Sequence, residues 1–134
     1  MLEAVNAFRA GTRDCGTRGV FSPAPALAWN CQLESAARGH SADMANNNFF
    51  SHTGSDESGL GDRATAAGYA WSALGENIAA GYSSVSSVLQ GWIDSDGHCA
   101  NLMGASFEEM GAARQDNPAS TYGSYWTQVF GRSL

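Results

Sequence analysis

Three histidines, His40, His52 and His98, together with Glu76, Asp94 and Asp96, are the side chains of this 134-residue sequence best suited to moving protons or holding a cation. Two histidines and a glutamate form a donor set for a divalent transition metal with an open coordination position, where a bound water can be activated. His52, Glu76 and His98 stand 24 and 22 residues apart, with no HExxH spacing, so only the fold can bring them together. His52 follows the bulky pair Phe49 and Phe50 and precedes the flexible TGSDESG tract. That setting aims a loop side chain while leaving it reachable. His40 lies on the apolar stripe of a helix and reads as structural, a buried neutral imidazole satisfied by a backbone carbonyl. Cys99 offers a nucleophile, but its neighbour His98 projects differently, so His52 would have to act as its base. No GxSxG elbow supports a serine nucleophile.

The three cysteines, Cys15, Cys31 and Cys99, show no CxxC spacing, which argues against a zinc knuckle or a thioredoxin-type pair. One disulfide in any of three pairings, or three reduced thiols, is compatible with the spacing alone. A net charge of −6 and the lack of any arginine cluster oppose binding to nucleic acid or an anionic membrane surface. No run of 18 apolar residues is present, so no transmembrane segment is expected, and the first residues form an acidic amphipathic stretch rather than a signal sequence. Length and a 43% hydrophobic content fit one domain, residues 1–134, with a substantial core.

The elements that must position these residues follow from periodicity. Leu2, Val5 and Phe8 predict a short first helix, and the prolines of SPAP, Pro23 and Pro25, an extended path. Asn30 caps a long helix whose apolar face carries Leu33, Ala36, Ala37, His40 and Met44, closed by Asn46–Asn48. Asp62 is expected to cap a short helix through Ala67, stopped by Gly68. Ser84 caps a helix with Val85, Val88, Leu89, Trp92 and Ile93 on one stripe, ending near Gly97, which puts His98 and Cys99 at its C-terminal end. EEMGAARQD and YGSYWTQVFGR predict an antiparallel hairpin. Helices first and strands late predict an α+β layered domain.

Four stretches in order, HSADMANNNFFSHTG, GENIAAG, GWIDSDGHCANLM and YWTQVFG, resemble bacterial members of the CAP superfamily. That superfamily unites the cysteine-rich secretory proteins, antigen 5 and the plant pathogenesis-related 1 proteins, and its domain is also called the SCP domain. The resemblance implies an α-β-α sandwich with a small, mainly antiparallel sheet, in a secreted or periplasmic protein whose signal peptide has been removed. It implies a Cys15–Cys99 disulfide, with Cys31 a free helix thiol. Plant and animal members carry two histidines and two glutamates in a cleft, proposed to hold a divalent metal. His52 and Glu76 match half of that set; Ser95 and Tyr125 stand at the other two positions. His98 and Asn101 match the GHxxN turn of bacterial members. His98 is therefore expected to face His52 and Glu76 across one cleft, unless it serves locally, bonding helix-end carbonyls near Trp92 while Asn101 holds the turn.

The function expected from this resemblance is a monomeric binding module whose cleft, lined by His52, Glu76, His98 and Tyr125, takes a divalent cation, zinc first, and a small ligand. The alternatives are a metal-assisted, protease-like hydrolase with Glu76 as general base, and a protein-interaction or lipid-binding module using the TGSDESGLGD loop or an interhelical groove. The fold class by itself does not choose among them.

Overall fold

The computed structural model describes all 134 residues. Helix α1, Leu2–Arg9, buries Val5, and a ribbon of β1 (Arg13–Asp14) and β2 (Val20–Phe21) follows, its strands joined through a 3-10 turn at Gly16–Arg18. The proline-bearing segment carries no regular element and leads into the short strand β3, Ala28–Trp29. Helix α2, Cys31–Asn47, opens where the Asn30 side chain accepts hydrogen bonds from the backbone N–H groups of Gln32 and Leu33. It closes at Asn48, whose φ of 49° is a left-handed cap that asparagine tolerates. Helix α3, Leu60–Ala66, begins at Gly59 rather than at Asp62. Asp62 sits in the third helical position and reaches back to accept from the Gly59 N–H at 2.9 Å, so it caps the helix from inside.

Two further features differ from the sequence reading. Strand β4, Trp71–Ala80, lies in the middle of the chain, so the strands are not confined to its end. Glu76 through Ala79 are all buried, and this erases the alternation by which a half-buried strand is recognised. The second difference is that the apolar helix capped by Ser84 is α4, Val85–Ile93, and stops four residues short of Gly97. Ser95, in an extended conformation, starts a separate helix α5, Asp96–Leu102, and His98 and Cys99 belong to it.

The hairpin of β5 (Glu109–Asp116) and β6 (Ser124–Ser133) completes a sheet of order β3-β5-β6-β4, antiparallel except for the β3–β5 pair. Helices α2 and α3 cover one face through Leu33, Ala37, Ala64 and Val129, continued by Met44, Ile78 and Tyr125. Helices α1, α4 and α5 cover the other, where Val5, Val88, Trp92 and Leu102 pack on Met110, Trp126 and Phe130. The layers therefore form an α-β-α sandwich, with β6 presenting Trp126 and Phe130 to one side and Tyr125 and Val129 to the other. Cys15 and Cys99, 84 residues apart and both buried, form a disulfide that staples the ribbon to α5, while Cys31 is free and exposed. A loop of that size corresponds to about 4 to 5 kcal/mol in the chain-entropy model.

Helix α2 approaches β5 backbone to backbone at Gly111, where an added Cβ would lie 2.1 Å from the Glu34 nitrogen. Neither partner is a side chain that could swing away. Gly111→Ala is expected to destabilise the domain by about 2 to 3 kcal/mol, read as a lowered urea midpoint at unchanged slope.

Candidate functional site

Glu76 is the centre of the polar constellation. Its side chain is 3% exposed, on β4 beneath the loop that joins α2 to α3. One carboxylate oxygen accepts from His52 Nδ1 at 2.8 Å and the other from Arg63 Nη2 at 2.7 Å. Because a carboxylate only accepts, the His52 Nδ1 carries the proton, and its Nε2 is left facing outward on a ring that is 60% exposed. Arg63, on α3, also donates through Nη1 to the carbonyls of His52 and Ser58, both at 3.0 Å. Burial alone would push the Glu76 carboxyl up. His52 and Arg63 outweigh it and hold the group below its usual range, ionised.

His40 supports the same loop from below. Fully buried on α2, it donates from Nε2 to the Ser51 carbonyl at 2.7 Å, and its Nδ1 has no partner. Burial is the main cause that holds its pKa below the ordinary histidine value, with Glu76 opposing and Arg63 adding to the depression. Asp43 fixes the loop further along by accepting from the Ser55 N–H at 2.8 Å.

The other wall of the cleft is built from α4 and α5. Strand β4 is an edge strand of the sheet, and the Gly81 N–H to Ser124 carbonyl bond sets its odd-numbered residues toward β6. The carbonyls of Glu76 and Ile78 therefore point off the edge. Asn101 Nδ2 donates to the first at 3.2 Å and to Asn77 Oδ1 at 2.9 Å, and Trp92 Nε1 donates to the second at 3.0 Å. These bonds close an edge that would otherwise be left open. Asn77 Nδ2 in turn reaches the His98 carbonyl at 3.4 Å, which seats α5 against the strand.

Between these walls lies a cavity of about 340 Å³ lined mainly by apolar and aromatic groups, with Phe50, Tyr82, Trp92 and Tyr122 as its aromatic walls and Ser95 and His98 as its polar ones. Burial first, and the nearby positive charge of His52 second, lower the His98 pKa, so the two imidazoles are electrostatic neighbours. Phe50 and Tyr122 meet edge to face at 6.1 Å and are 45% and 55% exposed.

The expected cleft residues thus divide. His52 and Glu76 are bonded directly, and His98 lines the adjoining cavity. Tyr125 does not line the cleft: it is fully buried against Met44 and Ile78, because strand alternation turns it toward α2. Its hydroxyl accepts from the Tyr122 N–H at 3.3 Å, so it braces the residue that does form the wall. Trp92 and Asn101 tie α4 and α5 to β4. Spacing and pattern did not identify Arg63, Phe50 or Tyr122 as site residues. Arg63 carried one signal, as the only lysine or arginine between Arg38 and Arg114.

A divalent ion does not fit the donors as they stand. Both Glu76 oxygens are committed, one of them to a guanidinium whose permanent charge repels a cation, and no three of the histidine, cysteine, aspartate and glutamate side chains are grouped to hold one. Ser95 and Tyr125, at the positions where a second glutamate and histidine would complete a tetrad, supply no strong ligand in their place.

The model of the cysteine-rich secretory protein family matches residues 2–130. Uncharacterized membrane protein YlbC of Bacillus subtilis (strain 168) is 34% identical over 85 residues, which are 63% of this chain and 25% of that protein. An extracellular protein containing a SCP domain from Bacillus anthracis str. Ames superposes with a TM-score of 0.72 at 39% identity, over 82% of this chain and 35% of that one. An outer surface protein from Borrelia burgdorferi shares the fold, with a TM-score of 0.73 at 19% identity over 83% of this chain and 80% of that one. The chain spans about a quarter to a third of the length of the two Bacillus proteins.

Arg63→Met would leave a buried carboxylate with one partner fewer, and a loss of about 3 kcal/mol is expected in urea denaturation at neutral pH. A second expectation concerns acid. His40 and His98 have folded pKa values below the 6.5 of an unperturbed histidine, so below that pH the unfolded chain binds more protons than the folded one. Stability should be fully present above pH 6.5 and fall as pH drops from there toward the folded values. Urea midpoints should show this decline, and His40→Gln, which keeps a donor for the Ser51 carbonyl, should flatten it.

Proposed function

The chain belongs to the cysteine-rich secretory protein family, and from that premise we propose that it is a binding module of the extracellular or periplasmic space, holding a small, largely apolar ligand in its aromatic cavity. The observation that carries this reading is the pairing of a concave apolar cavity with few polar groups, Ser95 and His98 among them. Its 340 Å³ falls at the lower end of the range of small-molecule sites, which are mostly apolar with a few placed polar groups. Phe50 and Tyr122 add large, half-exposed aromatic surface at this cavity, surface that gains by contact. The Cys15–Cys99 disulfide supports an oxidising compartment, in keeping with the extracellular and outer-surface descriptions of the solved relatives.

Binding is favoured over hydrolysis by the state of Glu76. A general base needs a free oxygen within reach of the water it activates, and both of its oxygens are spent on His52 and Arg63. The resulting His52–Glu76–Arg63 group acts as a clamp on the loop that supplies Phe50.

A panel of small aromatic and aliphatic compounds, followed through the indole N–H resonance of Trp92, tests this reading. Saturable shifts are expected, weakened about tenfold or more in Phe50→Ala and Tyr122→Ala, whose exposed side chains leave the core intact. Shifts that ignore both substitutions, or no shifts from any compound, would remove the cavity as a ligand site.

A further inference from the structure

We propose that the ligand of this cavity is a small carboxylate with an apolar body, its charged end held at Ser95 and His98 and its body between Phe50, Tyr82, Trp92 and Tyr122. This deepens the cavity reading above and rests on it. The argument is one of charge complementarity. No aspartate or glutamate lines the cavity, and each carboxylate in the surroundings of His98 is already committed. Glu76, behind β4, is spent on His52 and Arg63; Asp94, at the end of α4, accepts from Gln90 Nε2 at 2.9 Å; Asp96, on α5 itself, accepts from the Thr17 N–H and hydroxyl at 3.0 and 2.8 Å. The remaining charged groups near this wall are cationic or can become so: His52 from the loop, and Arg18, whose guanidinium lies against Gly97 from the 3-10 turn.

The cavity's polar end is thus made of a hydroxyl and an imidazole, both able to donate, in a protein whose overall charge is −6. An anion placed there accepts from both. A cation would find no free carboxylate on the cavity wall to answer it. A neutral apolar molecule would cover the two half-buried donors without offering either an acceptor. Apolar walls with one charged contact at the end suit an acid whose body is a single ring or a short alkyl chain.

Proton uptake follows from this arrangement. An anion beside His98 favours the imidazolium, so affinity for an acid rises as pH falls from about 7.5 to about 6, while that for a neutral analogue stays level.

The test is a calorimetric titration of the whole chain with phenylacetate and octanoate against phenylacetamide and octanamide, at both pH values, repeated on His98→Gln. The acids are expected to bind about tenfold or more tightly than the amides at the lower pH, with the preference shrinking at the higher pH and in the variant. Should His98→Gln not fold, the acid-to-amide ratio and its pH dependence in the unmodified chain decide the matter alone. Amides that bind as well as the acids at both pH values would overturn the carboxylate inference and leave the cavity reading standing. Failure of all four compounds to bind would overturn both.

Discussion

One carboxylate, that of Glu76, is buried on an edge strand of a four-stranded sheet, and the arrangement around the cleft answers the need to compensate it. An ionised group so enclosed persists only with partners of opposite charge or strong donors. Arg63 supplies the permanent charge and His52 a directed N–H. Because Arg63 also holds the carbonyls of His52 and Ser58, the same contacts that stabilise the carboxylate fold the loop from α2 to α3 over it. The loop in turn delivers Phe50 to the cavity. An electrostatic requirement in the core thereby becomes a structural one at the surface.

The second constraint is the free edge of β4. Trp92 and Asn101, from two different helices, each satisfy one of its outward carbonyls. This explains why an apolar helix is broken after Ile93: a single straight helix through residue 102 could not bring both side chains to the same strand edge. The break falls at the extended Ser95, the disulfide through Cys99 anchors the second segment, and His98 is left at the cavity wall.

These two constraints also separate the cleft from a metal centre. A metal site needs several free, converging donors. Here the carboxylate at the cleft is neutralised by an arginine, and Tyr125 has become part of the core. What is left at the cleft is an apolar, aromatic-walled cavity with two polar side chains, Ser95 and His98, on its wall.

The caps Asn30 and Ser84, the apolar stripes of α2 and α4, the terminal hairpin and the family motifs were legible from the sequence, because each rests on chemistry among residues close together in the chain. Asn30 and Ser84 act through neighbours within a few residues. Strand β4 was hidden because burial on both faces removes the period that identifies a strand, and the end of α4 because the break serves a distant strand edge. The association of His52, Glu76 and Arg63, the turning of Tyr125 into the core and the substitution of Tyr122 at the cavity wall were decided only by tertiary structure. Each depends on which residues, tens of positions apart, compete for the same buried carboxylate or the same side of a strand, and local sequence carries no record of that competition.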